Sequence, residues 1–185
     1  MEYLVMKLAD KVQAWLCDQE WDDKITMDEE NQESSVSFFF TIKNQAFKVW
    51  LETDEKRDML KIYFYAPFYA LSNKLADCAI LFNHINTCSN WGSITCKDEK
   101  GAIRWRHSID FEGTDPSIAT IDNAFHVGAN LFEHWFEEIT SVALTQTTAK
   151  EIIDQCNATS EQEDIEEFDV NIVPKGCQLA SKTVH

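Results

Sequence analysis

Three neighbouring segments of the chain alternate apolar and polar side chains with a period of two. A short polar break at 43–45, which suits a tight turn, separates the first segment from the second. Because a period of two places every second side chain on one face of a β-strand, the pattern predicts a three-stranded antiparallel meander with an apolar face. The alternating apolar residues are Val36, Phe38, Phe40 and Ile42, then Phe47, Val49 and Leu51, then Leu60, Ile62 and Phe64.

Apolar residues at helical spacing lie on both sides of this meander. The spacing predicts a first helix over 4–16 and a second helix that Ser72 can cap and that ends near Asn90. A third stripe runs from Ile118 to Val142 in steps of three and four, with Gly128 in the same register. Roughly 27 helical residues would span about 40 Å, so the third helix is longer than the sheet requires and could serve a dimer.

Two more strands are predicted between the second and third helices, at about 91–97 and 102–111, with a Gly-containing loop between them. The predicted fold class is therefore α+β: an antiparallel five-stranded sheet with three helices, in the order α-βββ-α-ββ-α. Residues 24–27 could add one short strand ahead of the meander. In the last strand, one face is shared by Ile103, Trp105, His107, Ile109 and Phe111.

The chain changes character after residue 145. Residues 1–145 are predicted to form one domain and residues 146–185 an acidic, flexible tail, because 161–169 holds six acidic residues and little apolar surface. The scattered apolar residues of this tail are interpreted as an unstructured linker or, alternatively, as a short docking segment. They are Ile165, Phe168, Val170, Ile172 and Val173.

Charge and hydropathy narrow the classes of partner. The chain has 185 residues, with 16 Lys+Arg and 32 Asp+Glu, and its net charge of −16 argues against nucleic acid as a partner. No stretch has the length of a membrane span, and residues 1–16 lack the apolar core of a signal peptide. We therefore expect a cytoplasmic protein with no membrane partner, in which the six cysteines stay reduced.

The sequence lacks the common catalytic and phosphate-binding motifs. It contains five glycines in all, with no Gly-rich phosphate loop, no nucleophile elbow and no His-Glu-x-x-His helix. We therefore predict no cofactor, no catalytic residue and no small-molecule substrate, and expect that the protein is not an enzyme. The alternative is an enzyme whose acid-base or metal site is assembled from residues remote in sequence.

Two groups of residues were weighed as metal ligands. His84, Cys88, Cys96 and His107 supply the donors of a tetrahedral zinc site, but their spacing is unlike that of known zinc modules. Buried cysteines and a hydrogen-bonded core histidine explain them more simply. An acidic stretch could likewise be taken for a calcium site, but it lacks the EF-hand spacing, so we expect a solvated loop. Its residues are Asp22, Asp23, Asp28, Glu29 and Glu30. No metal site is predicted.

The strand face opposite the apolar register mixes aromatic rings with cations. Trp, Tyr and Arg are the residue types enriched at binding hot spots, and their concentration on one face of so acidic a chain predicts a protein-binding face. The alternative is an ordinary half-exposed sheet whose Lys and Arg stems cover outward aromatic rings. The predicted binding residues are Phe39, Lys48, Trp50, Lys61, Tyr63, Tyr65, Arg104 and Arg106.

The chain resembles a known family in the order of its elements and in four short segments: residues 81–86 (LFNHIN), Trp91-Gly92, residues 98–101 (DEKG) and residues 110–113 (DFEG). It resembles the YbjN family over roughly residues 4–143. These bacterial proteins are described as sensory transduction regulators. The resemblance implies the fold of type III secretion chaperones and a small acidic module that forms homodimers and holds segments of a partner. We expect a non-catalytic regulator or chaperone-like protein whose protein partner is unidentified. An acidic immunity or inhibitor protein is the other binding class that the charge allows.

Overall fold

The computed structural model describes residues 7–158, which fold as an antiparallel sheet covered on one side by helices. The α+β class and the antiparallel sheet are therefore confirmed. The elements, in chain order, are α1 (Lys7–Asp18), β1 (Thr26–Asp28), β2 (Glu33–Ile42), β3 (Gln45–Asp54), β4 (Met59–Tyr69), α2 (Leu75–Cys88), β5 (Ser93–Cys96), β6 (Ala102–Asp110), α3 (Ile118–Leu144) and α4 (residues 149–158).

The described sheet has six strands, in the order β1-β2-β3-β4-β6-β5, so the predicted count of five is wrong. The sixth is the short β1, which pairs with β2 from Thr26 opposite Ser35 to Asp28 opposite Glu33. β1 overlaps residues 24–27, where the sequence left a short strand open, and its three side chains are exposed, so no apolar alternation marks it. β2 and β3 are joined through Lys43 and Asn44, both with positive φ, as a tight two-residue hairpin turn requires.

The core lies between the sheet and the helices. Phe125 of α3 packs against the rings of Phe38 and Phe64 from the sheet, with centroids 6.2 and 5.1 Å away. Trp15 of α1 lies 5.2 Å from the same ring. Because these contacts all lie on one side of the sheet, they define an inner face and an opposite, outer face.

The second helix begins differently from the prediction. Ser72 does not cap it, because residues Ser72–Lys74 form a single 3-10 turn that leads into α2. Lys74 is buried there, and its ammonium group donates to Asp77 at 2.6 Å and to the carbonyl of Thr147 at 2.8 Å. The hydrogen bond to Thr147 joins the start of α2 to the chain that follows α3.

The predicted number of three helices is also wrong, because a fourth, α4, follows α3 within the described residues. Ala149 and Ile152 are buried against the core, and the backbone N–H of Ala149 lies 3.4 Å from a carboxylate oxygen of Asp77. The predicted tail therefore does not begin at residue 146. For residues 159–185, which lie outside the described residues, the tail stays a prediction.

Candidate functional site

The eight residues predicted as a binding face all lie on the outer side of the sheet. Their neighbours along the strands, among them Val49, Ile62, Phe64 and Trp105, are buried on the inner side. The eight are partly or fully exposed, and Phe39 reaches 73% exposure. We call the following residues the outer face: Phe39, Lys48, Trp50, Lys61, Tyr63, Tyr65, Arg104 and Arg106.

The strand register arranges most of the outer face into rows across the sheet. Each row takes one side chain from each of four neighbouring strands, because paired residues in antiparallel strands point to the same side. One row joins Phe39, Lys48, Tyr65 and Arg104. The next row joins Ser37, Trp50, Tyr63 and Arg106. Aromatic rings therefore occupy the middle of the face, and cations lie beside them.

The cations lie over the aromatic rings. The Lys48 ammonium is 5.1 Å from the centroid of Trp50, and the Arg104 guanidinium is 5.3 Å from that of Tyr63. Lys97, in the loop after β5, adds a third pair at 5.6 Å from Tyr65. Each such contact contributes about 0.5–1 kcal/mol at an exposed site, so together they hold the long cationic side chains against the sheet.

A carboxylate beside the outer face, that of Glu52, fixes Tyr63. The Tyr63 hydroxyl donates to Glu52 at 3.1 Å, and Lys61 lies 4.0 Å from the same carboxylate. Partial burial, followed by the negative charge of Glu52 and its hydrogen bond, raises the pKa of Tyr63 to about 12. The tyrosine therefore remains a neutral hydrogen-bond donor at physiological pH.

Two donors of the outer face are left without an acceptor. Nε1 of Trp50 and Nε of Arg104 are both inaccessible to solvent, and neither finds a hydrogen-bond partner within residues 7–158. A buried polar group without a partner costs about 1–3 kcal/mol. Two donors within the outer face, both covered by neighbouring side chains, therefore lack an acceptor among the described residues.

Two shallow grooves flank Trp50. One, of about 360 Å³, lies among the rings of Phe39, Trp50, Tyr65 and Tyr69 and has Lys48 and Lys97 at its rim; the remaining lining comes from Ala46, Ala66 and Pro67. The other, of about 260 Å³, is polar and is lined in part by Asp28, Glu33, Glu52 and Asp54. One side of Trp50 thus suits apolar side chains with negative charges beside them, and the other is acidic.

The residues considered as metal ligands do not form a site. No group of three or more His, Cys, Asp and Glu side chains within residues 7–158 is arranged to hold a metal ion. This includes the set of His84, Cys88, Cys96 and His107 and the acidic stretch that contains Asp28. His107 packs between Trp91 and Trp105, with ring centroids 6.0 and 5.8 Å away, and burial lowers its pKa. Its imidazole forms no hydrogen bond to another described residue, contrary to the expected hydrogen-bonded histidine.

The structure also contains a groove that sequence reasoning missed. It has a volume of about 770 Å³ and lies among α2, α3 and α4, where its lining includes His84, Cys88, Trp135, Ile152 and Asn157. No local pattern predicts this groove, because the acidic composition after residue 145 predicts a tail where α4 lies. The groove brings Asn157 of α4 close to Cys88, the last residue of α2.

Comparisons with known proteins identify similar folds among solved structures. No protein-family model matches the sequence, and no curated protein matches it. A chain in the structure of the HopA1-SchA chaperone-effector complex is similar, with 14% identity, coverage of 71% of this chain and 94% of that chain, and a TM-score of 0.51. YbjN from E. coli, a proposed transcription regulator, matches with 12% identity, coverage of 73% and 95%, and a TM-score of 0.46.

These matches concern the fold. The expected fold is supported by the likeness to a chain of the chaperone-effector complex, and YbjN, the family named from the sequence, is among the solved structures that match. At such low identity, no residue role is carried over from either protein. Within the described residues, none of the helices is both long and apolar enough to cross a membrane.

Proposed function

We propose that this chain is a non-catalytic, chaperone-like or regulatory module of the bacterial cytoplasm, which binds a segment of another protein on its outer face. The observation that carries the proposal is the set of aromatic rings and cations around Trp50. Exposed surfaces of this composition are typical of binding hot spots. The fold likeness to a chain of a chaperone-effector complex supports the same class of function.

The charge distribution gives further support. The whole chain has a net charge of −16, yet the outer face holds four Lys and Arg residues, with Lys97 beside them. These cations attract acidic or polar segments to the outer face, whereas the negative charge of the rest of the molecule repels such segments elsewhere. We also propose that the protein acts as a homodimer, which sedimentation at several protein concentrations tests directly.

The test compares two double variants with the native protein. Trp50→Ala with Arg106→Ala removes one ring and one cation from the outer face. Trp91→Ala with Arg57→Ala is a matched control, since it removes the same residue types from exposed positions elsewhere. Each protein serves as bait in its native cell extract, and the retained proteins are identified. Thermal unfolding shows whether each variant folds.

We expect the control to retain the same partner as the native protein. The outer-face variant should fold and yet bind that partner more than tenfold more weakly, because two hot-spot side chains contribute about 2 kcal/mol or more each. Equal retention by the two variants would remove the outer face from the proposal. A loss of cooperative folding in the outer-face variant calls for the milder Arg106→Gln change, judged by the same retention of the partner.

A further inference from the structure

The cations and the rings define what the outer face can bind. Lys48, Lys61, Arg104 and Arg106 present positive charge, and the groove beside Trp50 combines aromatic walls with Lys48 and Lys97 at its rim. Carboxylates pair with such cations through charge-assisted hydrogen bonds, and an apolar side chain fits between the rings. The matching ligand is therefore an acidic segment with apolar residues at intervals.

The chain itself carries a segment of this composition. Residues 161–169 (EQEDIEEFD) contain six carboxylates, with Ile165 and Phe168 among them. The outer face holds the complementary charges: Lys48, Lys61, Arg104 and Arg106. We propose that residues 161–169 bind to the outer face of the same chain, with their carboxylates on Arg104 and Arg106 and Phe168 in the groove beside Trp50.

The end of the described chain lies on the side from which this face can be reached. Asn157 and Cys88 line the same groove, so the last described residues of α4 lie near the end of α2. Five residues beyond Cys88, Ser93 begins β5, and Ser93 is paired with Arg106. β5 is the edge strand of the sheet, so a chain that leaves α4 here has one strand to pass before it meets Arg106.

The available length is sufficient. A layer of packed structure is about 10 Å deep and neighbouring strands are about 4.8 Å apart, so the path around the edge is on the order of 15–20 Å. The seven residues from 158 to 165 span up to about 23 Å when extended. A segment tethered this closely has an effective concentration in the millimolar range. It therefore occupies the outer face even if its intrinsic affinity is weak.

This inference rests on the proposed function, because the same face then binds both the tail and the partner. A partner segment must displace residues 161–169, and neutralising them should increase capture of the partner by about two- to tenfold, the range expected for a weak ligand at millimolar effective concentration. The bound tail would thus restrict the outer face to partners that compete well for it.

The experiment uses the full chain and follows the indole N–H signals of its tryptophans by NMR. One variant neutralises the six carboxylates of residues 161–169, with Gln for Glu and Asn for Asp. The control neutralises five carboxylates on the two sides of β1 in the same way: Glu20, Asp22, Asp23, Glu29 and Glu30. Trp50→Phe identifies the signal of Trp50.

The Trp50 signal should shift in the tail variant and remain in place in the control. Raising NaCl from about 0.1 M to about 1 M, which shortens the Debye length from about 10 Å to about 3 Å, should move the native signal in the same direction. An unchanged Trp50 signal in the tail variant, or a shift of Trp135 alone, would overturn the inference. A shift that depends on a tenfold change in protein concentration would overturn binding within one chain.

The two proposals fail separately. If the Trp50 signal does not respond to the tail but the outer-face variant still loses its partner, the inference is wrong and the proposed function remains. If the tail moves the Trp50 signal and the outer-face variant retains its partner, the tail binds as inferred but the outer face is not where the partner binds.

Discussion

The indole N–H of Trp15 in α1 donates a 3.0 Å hydrogen bond to a carboxylate oxygen of Asp122 in α3. Trp15 is fully buried, and this bond joins two helices that are 107 residues apart in the sequence. The loss of stability when this hydrogen bond is removed therefore shows how much it contributes to the packing of α1 against α3.

Replacing Asp122 with Ala should lower the free energy of unfolding by about 1–3 kcal/mol, because it leaves the buried indole N–H without an acceptor. Asp122→Asn is the matched control, since its amide oxygen can still accept the bond, and its loss should stay below about 1 kcal/mol. Urea-induced unfolding measures both. Equal losses in the two variants would mean that the hydrogen bond does not contribute.

Gly128 of α3 allows the close approach of Trp105 from β6. A Cβ atom at this position would lie 2.5 Å from a ring carbon of Trp105 and 2.8 Å from one of Phe64. Gly128→Ala should therefore destabilise the fold by about 1–3 kcal/mol through overpacking, although Ala itself favours a helix by about 1 kcal/mol. Thermal unfolding tests this, and a stabilised variant would contradict it.

A second substitution separates the clash from other effects of Gly128→Ala. In a Trp105→Phe background, the smaller ring removes the closest contact, so the cost of Gly128→Ala should decrease. It should not vanish, because the contact with Phe64 remains. The same cost in both backgrounds would show that Trp105 is not responsible.

The sheet was the most predictable part of this protein. Alternation with a period of two fixes which side chains share a face, so the outer positions of Lys48, Trp50 and Arg104 follow from the sequence once the strands are recognised. The sequence also shows that Gly128 lies in the apolar stripe of α3. It does not show why a glycine is needed there, because the close approach of the Trp105 ring is a contact between distant segments that no local pattern encodes.

α4 was missed for a related reason. The position of α4 depends on contacts with residues far away in the sequence: Lys74 contacts Thr147 across 73 residues, and Asp77 contacts Ala149 across 72. Local periodicity does not register such contacts. The acidic composition that follows it made the whole region resemble a tail, although the packed structure continues through Ile152.

Two truncations test where the folded part of the chain ends. Ending the chain after residue 158 should change the free energy of unfolding by less than about 1 kcal/mol, or about 2–4 °C in melting temperature. Ending it after residue 146 removes the buried Ala149 and Ile152 and should cost about 2–4 kcal/mol, since burial of one Ile side chain alone contributes about 1.5–3 kcal/mol. Equal melting temperatures would show that α4 does not stabilise the domain.

Tyr63 should resist ionisation in the folded protein. Its pKa is raised to about 12, mainly by burial and then by Glu52, whereas an unfolded tyrosine ionises near pH 10. Between these pH values, the folded state holds a proton that the unfolded state has released, so the stability contributed by Tyr63 falls as the pH rises from about 10 to about 12. Tyr63→Phe should remove this part of the pH dependence.

The absorbance of tyrosinate measures the ionisation directly. Subtracting the titration curve of Tyr63→Phe from that of the native protein isolates Tyr63, and the difference should have its midpoint near pH 12. Glu52→Gln removes the adjacent negative charge, so it should shift the midpoint downward, while burial keeps it above about 10. A difference curve centred near pH 10 in the native protein would mean that Tyr63 is open to water and that Glu52 does not hold it against the sheet.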